Sequence, residues 1–335
     1  MSRVNMNRKR PTFTIAGPKM GLGLAALGRP GYINLNHRAD MPAECSEAAM
    51  RAHCQKMLDH AWARGIRYFD AARSYGLAED FLGDWLTQKQ MAAGQCIIGS
   101  KWGYTYTANW QIKAEQHEVK DHSLAVLQRQ WAQSRAHLDA HLALYQIHSA
   151  TADSGVLEND AVIDELARLR DAGVAIGLTT SGPDQALVID QALTIERDGV
   201  GVFSAVQATF NILETSAADA LQRAHQAGMR VLIKEGVANG RLTVRNNLSS
   251  DHELIGRLAE MGEDHEVGLD GIALGYIFHQ PWVDIVLSGA CTPEQFDQNM
   301  AALEVQFSEQ ELAELETFAQ SPEAYWQTRA KLIWN

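Results

Sequence analysis

The sequence predicts an α/β protein folded as a closed parallel (β/α)8 barrel of the TIM type. Short apolar runs rich in β-branched and aromatic residues alternate with longer segments whose apolar residues recur every three or four positions, as in VIDELARLRDAG. That alternation is the mark of buried parallel strands joined by amphipathic helices. Glycine closes the returns from helix to strand at Gly65, Gly173 and Gly228, where a left-handed residue can end one helix before the next strand begins.

The strand-like runs are, in order, KMGLGLAAL, IRYFD, CIIGSK, ALYQIH, VAIGLT, FSAVQ, RVLIK and VDIVLS, enough to close a barrel. The first is followed by a polar stretch, GRPGYINLNHRADMP, which is too long for an ordinary connector and is expected to wall a pocket on the rim. The second, third and fourth end in ionisable residues of different type, Asp70, Lys101 and His148, and Tyr75 follows the first of these. Chemistry sits at the carboxyl ends of barrel strands, so these four groups can converge. After Lys101 comes an aromatic run, WGYTYTANW, expected on another rim loop, and the final stretch SPEAYWQTRAKLIWN supplies Tyr325, Trp326 and Trp334, costly to leave in water. The expected organisation is one domain over 1–335, with extra rim loops, a C-terminal helix and tail, and a flexible basic tail over 1–10.

Composition narrows the function. The 335 residues carry a formal net charge of −12, which repels nucleic acid and anionic membranes and favours a small-molecule partner. The four cysteines lie too far apart for zinc or dithiol redox motifs, and reduced thiols in cytosol account for them. No stretch reaches the length of a membrane span, and the basic start runs into PTFTIAG rather than an apolar signal core; a cytoplasmic protein is expected. No metal site is expected, because the histidines are scattered, and a metal-dependent hydrolase on the same barrel would need them clustered.

The segments RYFDAARSYG, GSKWG, LYQIHSA, AVQATFNIL and LSGACTPEQFDQNMAAL together resemble the aldo-keto reductase superfamily over nearly the whole chain. The resemblance implies a (β/α)8 barrel that binds NADP or NAD without a Rossmann turn, and it implies catalytic roles for Asp70, Tyr75, Lys101 and His148. Carbonyl reduction needs a proton donor where negative charge grows on oxygen, and Tyr75 is the candidate. An ammonium, Lys101, would stabilise developing phenolate, Asp70 would hold that lysine, and His148 would orient the carbonyl. Taken singly, each has an ordinary structural reading as a cap, a packed ring, a solvated lysine or a structural histidine. Their order at successive strand ends favours function.

By the same resemblance, Gly23, Gln207 and Asn299 match cofactor positions, and Thr179 and Thr180 stand where a Ser-Asn pair grips the carboxamide in relatives. Lys234 occupies the place of a stacking ring, with a strand-end pair to Glu235 as its other reading. At Gly289, Cys291 and Gln295, relatives selective for NADPH place cations for the 2′-phosphate; without them NADH is a serious alternative, although Arg241 or Arg245 lies within reach in a rim loop. Thr292 before Pro293 reads as a helix cap. The implied function is hydride transfer between NAD(P)H and a carbonyl compound, an aldehyde, ketone or sugar, with the alcohol as the other partner. The competing reading is a nucleotide-binding sensor or regulatory subunit with vestigial turnover.

Overall fold

A computed structural model of the protein describes residues 10–335. Each strand-like run overlaps one barrel strand: β1 Met20–Gly23, β2 Tyr68–Asp70, β3 Ile97–Trp102, β4 Leu142–Ala150, β5 Ala175–Thr180, β6 Ala205–Thr209, β7 Arg230–Lys234 and β8 Ile285–Ser288. All neighbours are parallel, and β1 pairs with both β2 and β8 to close the ring. A closed ring leaves no edge strand, so every strand is paired on both sides. The helices are α1 Glu47–Ala63, α2 Ala78–Gln88, α3 Leu124–Leu138, α4 Asp160–Asp171, α5 Gln185–Thr194, α6 Ala218–Gln226, α7 His252–Asp264, α8 Leu269–Phe278, α9 Pro293–Ala301, α10 Glu309–Glu316 and α11 Pro322–Ala330.

Helix α4 shows how local sequence sets these elements. Asn159 accepts a hydrogen bond from the Val162 amide at 3.3 Å, capping the first turn. Val162, Ile163, Leu166 and Leu169 then bury one face, and Gly173, at φ 98°, turns the chain into β5. Gly65 and Gly228 end α1 and α6 in the same left-handed way, as the sequence predicts. Thr292 caps α9 by accepting from the Gln295 amide at 3.3 Å.

Inside the barrel, the floor is a packed apolar layer that includes Phe13, Tyr68, Leu144, Leu232 and Ile285, each contributing about 1.5–3 kcal/mol by burial. Tyr68 fits there because both flanking strands carry glycine at its level. A Cβ on Gly21 would lie 2.7 Å from the ring, and one on Gly99 would lie 2.3 Å from the phenol oxygen. The phenol thus reaches upward from the floor toward the rim.

Two details depart from the expected layout. The aromatic run is not one rim loop: Trp102 ends β3, and Tyr104–Tyr106 pairs antiparallel with Glu118–Lys120 in a small rim hairpin. The C-terminal region forms two helices, α10 and α11, rather than one. As for the basic tail, residues 1–9 lie outside the described residues, whereas Arg10 is anchored, donating to the carbonyls of Phe203 (2.6 Å) and Ala227 (2.5 Å). The four cysteines are unpaired. Among the described residues no helix is long and apolar enough to cross a membrane, and no group of ligands could hold a metal ion.

Candidate active site

At the carboxyl ends of β2, β3 and β4, the strand geometry turns Asp70, Lys101 and His148 toward one point. Lys101, 1 % exposed, donates to Asp70 Oδ2 and to the Ala71 carbonyl (3.0 Å). Asp70 Oδ1 accepts from Gln207 Nε2 at 3.0 Å and, over a longer 3.3 Å, from the Tyr68 hydroxyl. The carboxylate is therefore held by three donors from three strands. Above it the Tyr75 ring lies 4.7 Å from Lys101 Nζ and 5.4 Å from the His148 ring, edge to face. The four residues expected to act together are brought together.

Burial and charge set their protonation. Burial, then the nearby Asp70 carboxylate, raises the Tyr75 phenol well above its ordinary value, while Arg29 opposes the shift. The phenol is therefore protonated and available as a donor near neutral pH. His148 is pushed well below its ordinary value by burial and then by Lys101, Arg29 and Lys234, so its ring is neutral. Its Nδ1 lies 3.4 Å from the Ser74 hydroxyl.

Asp70, Tyr75 and His148 line a cavity of about 560 Å³, with Lys101 buried against Asp70. Gly23, Gln207, Lys234, Gly289, Gln295 and Asn299 line the same cavity. Thr179 and Thr180 do not: both are fully buried, Thr179 accepting from the Ser149 amide (2.7 Å) and Thr180 donating to Gln185 Oε1 (3.2 Å). The next residue, Ser181, reaches the cavity instead. Cys291 also lines it, with its amide committed to Gln295 Oε1 at 3.0 Å.

Lys234 shows both features expected of it. It faces the cavity, donates to Thr209 Oγ1 at 2.8 Å and stands 3.9 Å from Glu235. Burial lowers its ammonium to about 8. The main partner of Glu235 is Arg329 of α11, at 2.6 Å. Burial disfavours the Glu235 carboxylate, but Arg329 and Lys234 more than offset this and hold it at about 2, against an ordinary 4.5. A depressed carboxylate stabilises the fold above its ordinary value and loses that contribution as pH falls through the folded one. Glu235→Gln is therefore expected to flatten the loss of stability between about pH 4.5 and about pH 2, measured as urea midpoints across that window.

Residues that sequence reasoning missed complete the walls. The loop after β1 contributes Arg29, Tyr32, Leu35 and Asp40, and the rim hairpin contributes Glu118. Leu35 donates its amide to the Asn239 carbonyl at 3.0 Å, and Arg245 pairs with Asp40, so the loops after β1 and β7 clasp one another beside the cavity. Arg241 faces away, locked to buried Asp251 at 2.9 Å. The tail packs back as expected: Tyr325 is buried, accepting from Asn211 Nδ2 at 3.1 Å, and Trp334 stacks on His117 at 4.0 Å. Asn335 exchanges backbone hydrogen bonds with Tyr32.

Such a barrel with a cavity at its carboxyl rim has counterparts among known proteins. "Protein tas" of Escherichia coli (strain K12) is 25 % identical over 321 residues, covering 80 % of this chain and 89 % of the relative. "Uncharacterized oxidoreductase YrpG" of Bacillus subtilis (strain 168) is 22 % identical over 302 residues, covering 81 % and 89 %. Among solved structures, the fold is matched by the aldo-keto reductase AKR11C1 from Bacillus halodurans in its holo form, with a TM-score of 0.69 at 21 % identity, over 94 % of this chain and 96 % of that one. A model of the Aldo/keto reductase family matches residues 19–320, and with barrel and sequence in agreement over that span, the chain belongs to this family.

Proposed function

We propose that the protein interconverts a carbonyl compound and its alcohol by NAD(P)H-dependent hydride transfer at Tyr75. Family membership supports the coarser statement, a general NAD(P)H oxidoreductase. The observation that carries the finer one is the meeting of a protonated, half-buried phenol, an ammonium 4.7 Å from its ring and a neutral imidazole beside one cavity. The cavity suits a nucleotide: Gly289 has no atom within 4 Å of where a Cβ would stand, and Gln295, Gln298 and Asn299 are among its lining residues. Bound there, the nicotinamide supplies the hydride.

The chain's own groups then handle the oxygen. In the tautomer in which Nδ1 accepts from the Ser74 hydroxyl, 3.4 Å away, neutral His148 carries its proton on Nε2 and can donate to the carbonyl oxygen, fixing its direction. Tyr75 gives its proton to that oxygen as negative charge builds, and Lys101, held by Asp70, stabilises the phenolate left behind. Alcohol oxidation runs the same transfers in reverse. Absorbance at the nicotinamide band with a panel of aldehydes, ketones and sugars tests the reading. Catalytic turnover supports it, and stoichiometric oxidation without turnover points to a nucleotide sensor instead.

The reading extends to cofactor choice. Of the two arginines within sequence reach of the 2′-phosphate, Arg241 is locked to Asp251 and Arg245 to Asp40, so neither is a free cation. NADPH is therefore expected to bind no more than about tenfold tighter than NADH, about 1.4 kcal/mol. Isothermal titration with both nucleotides measures this; a preference of several orders of magnitude defeats it. Asp40→Asn releases Arg245 and is expected to improve NADPH binding more than NADH binding.

A further inference from the structure

We infer that Arg29 is a positioning residue of the same site, a fixed positive charge that holds the segment carrying Tyr75 and stabilises its phenolate, with Glu118 setting the strength of that charge. The inference rests on the reading of Tyr75 as the proton donor.

Geometry comes first. The loop after β1 lies directly on the loop that bears Tyr75, and two glycines permit the approach. A Cβ on Gly28 would stand 2.3 Å from the Tyr75 carbonyl oxygen; Gly76, at φ 60°, would place one 2.5 Å from the Gly28 carbonyl oxygen. Leu77 donates its amide to that same carbonyl at 2.8 Å. Arg29, 3 % exposed, therefore projects beside the catalytic ring. Its Nη1 donates to the carbonyl of Ser74, the residue before Tyr75, at 2.9 Å, and to Glu118 at 3.0 Å. Its Nε donates to the Ala25 carbonyl at 3.3 Å. The guanidinium carbon lies 5.3 Å from the Tyr75 ring centroid, 5.5 Å from that of Tyr32 and 4.6 Å from that of Trp334. Three aromatic faces and two backbone carbonyls thus leave the cation little freedom to move.

Such a charge acts on the phenol because the guanidinium itself is almost wholly withdrawn from water. The Glu118 side chain is 24 % exposed against 3 % for Arg29, so water screens the carboxylate more than the guanidinium, and the contribution of this pair at the ring stays positive. The other groups that face Tyr75 are Asp70 from β2, Lys101 from β3, His148 from β4 and Glu235 beyond β7, with the neutral phenols of Tyr32 and Tyr68 nearby. Lys101 is bound to Asp70, so its charge is largely matched at close range. Arg29 is the cation whose partner is the more exposed carboxylate. Among the influences on the Tyr75 phenol, Arg29 favours phenolate, whereas Asp70, Glu118 and Glu235 oppose it.

The test is the pH profile of alcohol oxidation, which requires phenolate. Below its limb the rate follows the phenolate fraction, so a limb displaced by one pH unit changes the rate tenfold. Arg29→Met is expected to move the limb upward and lower kcat at a fixed pH below it by about tenfold, and Arg29→Lys to recover part of the loss. Glu118→Gln is expected to move the limb downward and raise that rate. Opposite signs in two variants that loosen the same salt bridge are not a consequence of damaged packing. The inference is overturned if Arg29→Met leaves the limb in place, if Arg29→Lys and Arg29→Met lose the same activity, or if Glu118→Gln moves the limb upward. Should Arg29→Met fail to fold, judged by its thermal melt, Arg29→Lys and Glu118→Gln still decide the matter. An active Tyr75→Phe would instead sink the reading of the phenol itself.

Discussion

Tyr75→Phe is expected to lower the turnover of the proposed carbonyl reduction by about 10²- to 10⁴-fold, the range spanned by loss of a general acid. The substitution removes one hydroxyl and leaves the ring, so the contacts with Lys101, His148 and Arg29 persist. No volume is added to the cavity wall, and nucleotide affinity should stay as in the unmodified protein. The loss therefore falls on kcat and not on binding. Steady-state kinetics on the aldehyde panel, paired with a nucleotide titration, read the two separately. Normal turnover in this variant would remove Tyr75 as the proton donor.

Lys101→Met is expected to have a comparable effect on kcat and a second one on stability. Lys101 and Asp70 are both buried and bonded to each other; removing the cation leaves a buried carboxylate held only by the Gln207 amide and the Tyr68 hydroxyl. Breaking such a pair costs about 3–5 kcal/mol, seen as a lower denaturant midpoint. Asp70→Asn added to Lys101→Met removes the stranded charge and should restore part of the stability. It should restore none of the activity, because no ammonium then faces the phenol. Recovery of both together would mean that the pair serves the fold alone.

Periodicity and strand composition were sufficient to locate the barrel, since buried runs such as IRYFD and CIIGSK have no exposed face to blur them. The four strand-end residues were legible for the same reason: a strand fixes where its last side chain points. Thr179 and Thr180 were harder, because a bulge at the end of β4, with Ser149 at φ 54°, draws the Thr179 hydroxyl into a backbone contact and leaves Ser181 to face the cavity. The rim hairpin went unread because its two short strands are half-exposed and separated by a polar stretch with no turn signature. Arg29 was illegible for another reason. Nothing in GRPGYINLNHRADMP marks one basic residue over another until Gly28 and Gly76 bring two loops into contact.

The shared volume of Gly21, Tyr68 and Gly99 constrains how this barrel can change over evolutionary time. An alanine at either glycine clashes while the phenol stands between them; once position 68 has shrunk, one at position 99 first meets the Asp70 carboxylate at 3.5 Å, whereas one at position 21 still meets the position-68 carbonyl at 3.1 Å and Leu287 at 3.2 Å. Drift at the three sites must therefore be epistatic and ordered, with the bulky residue lost first.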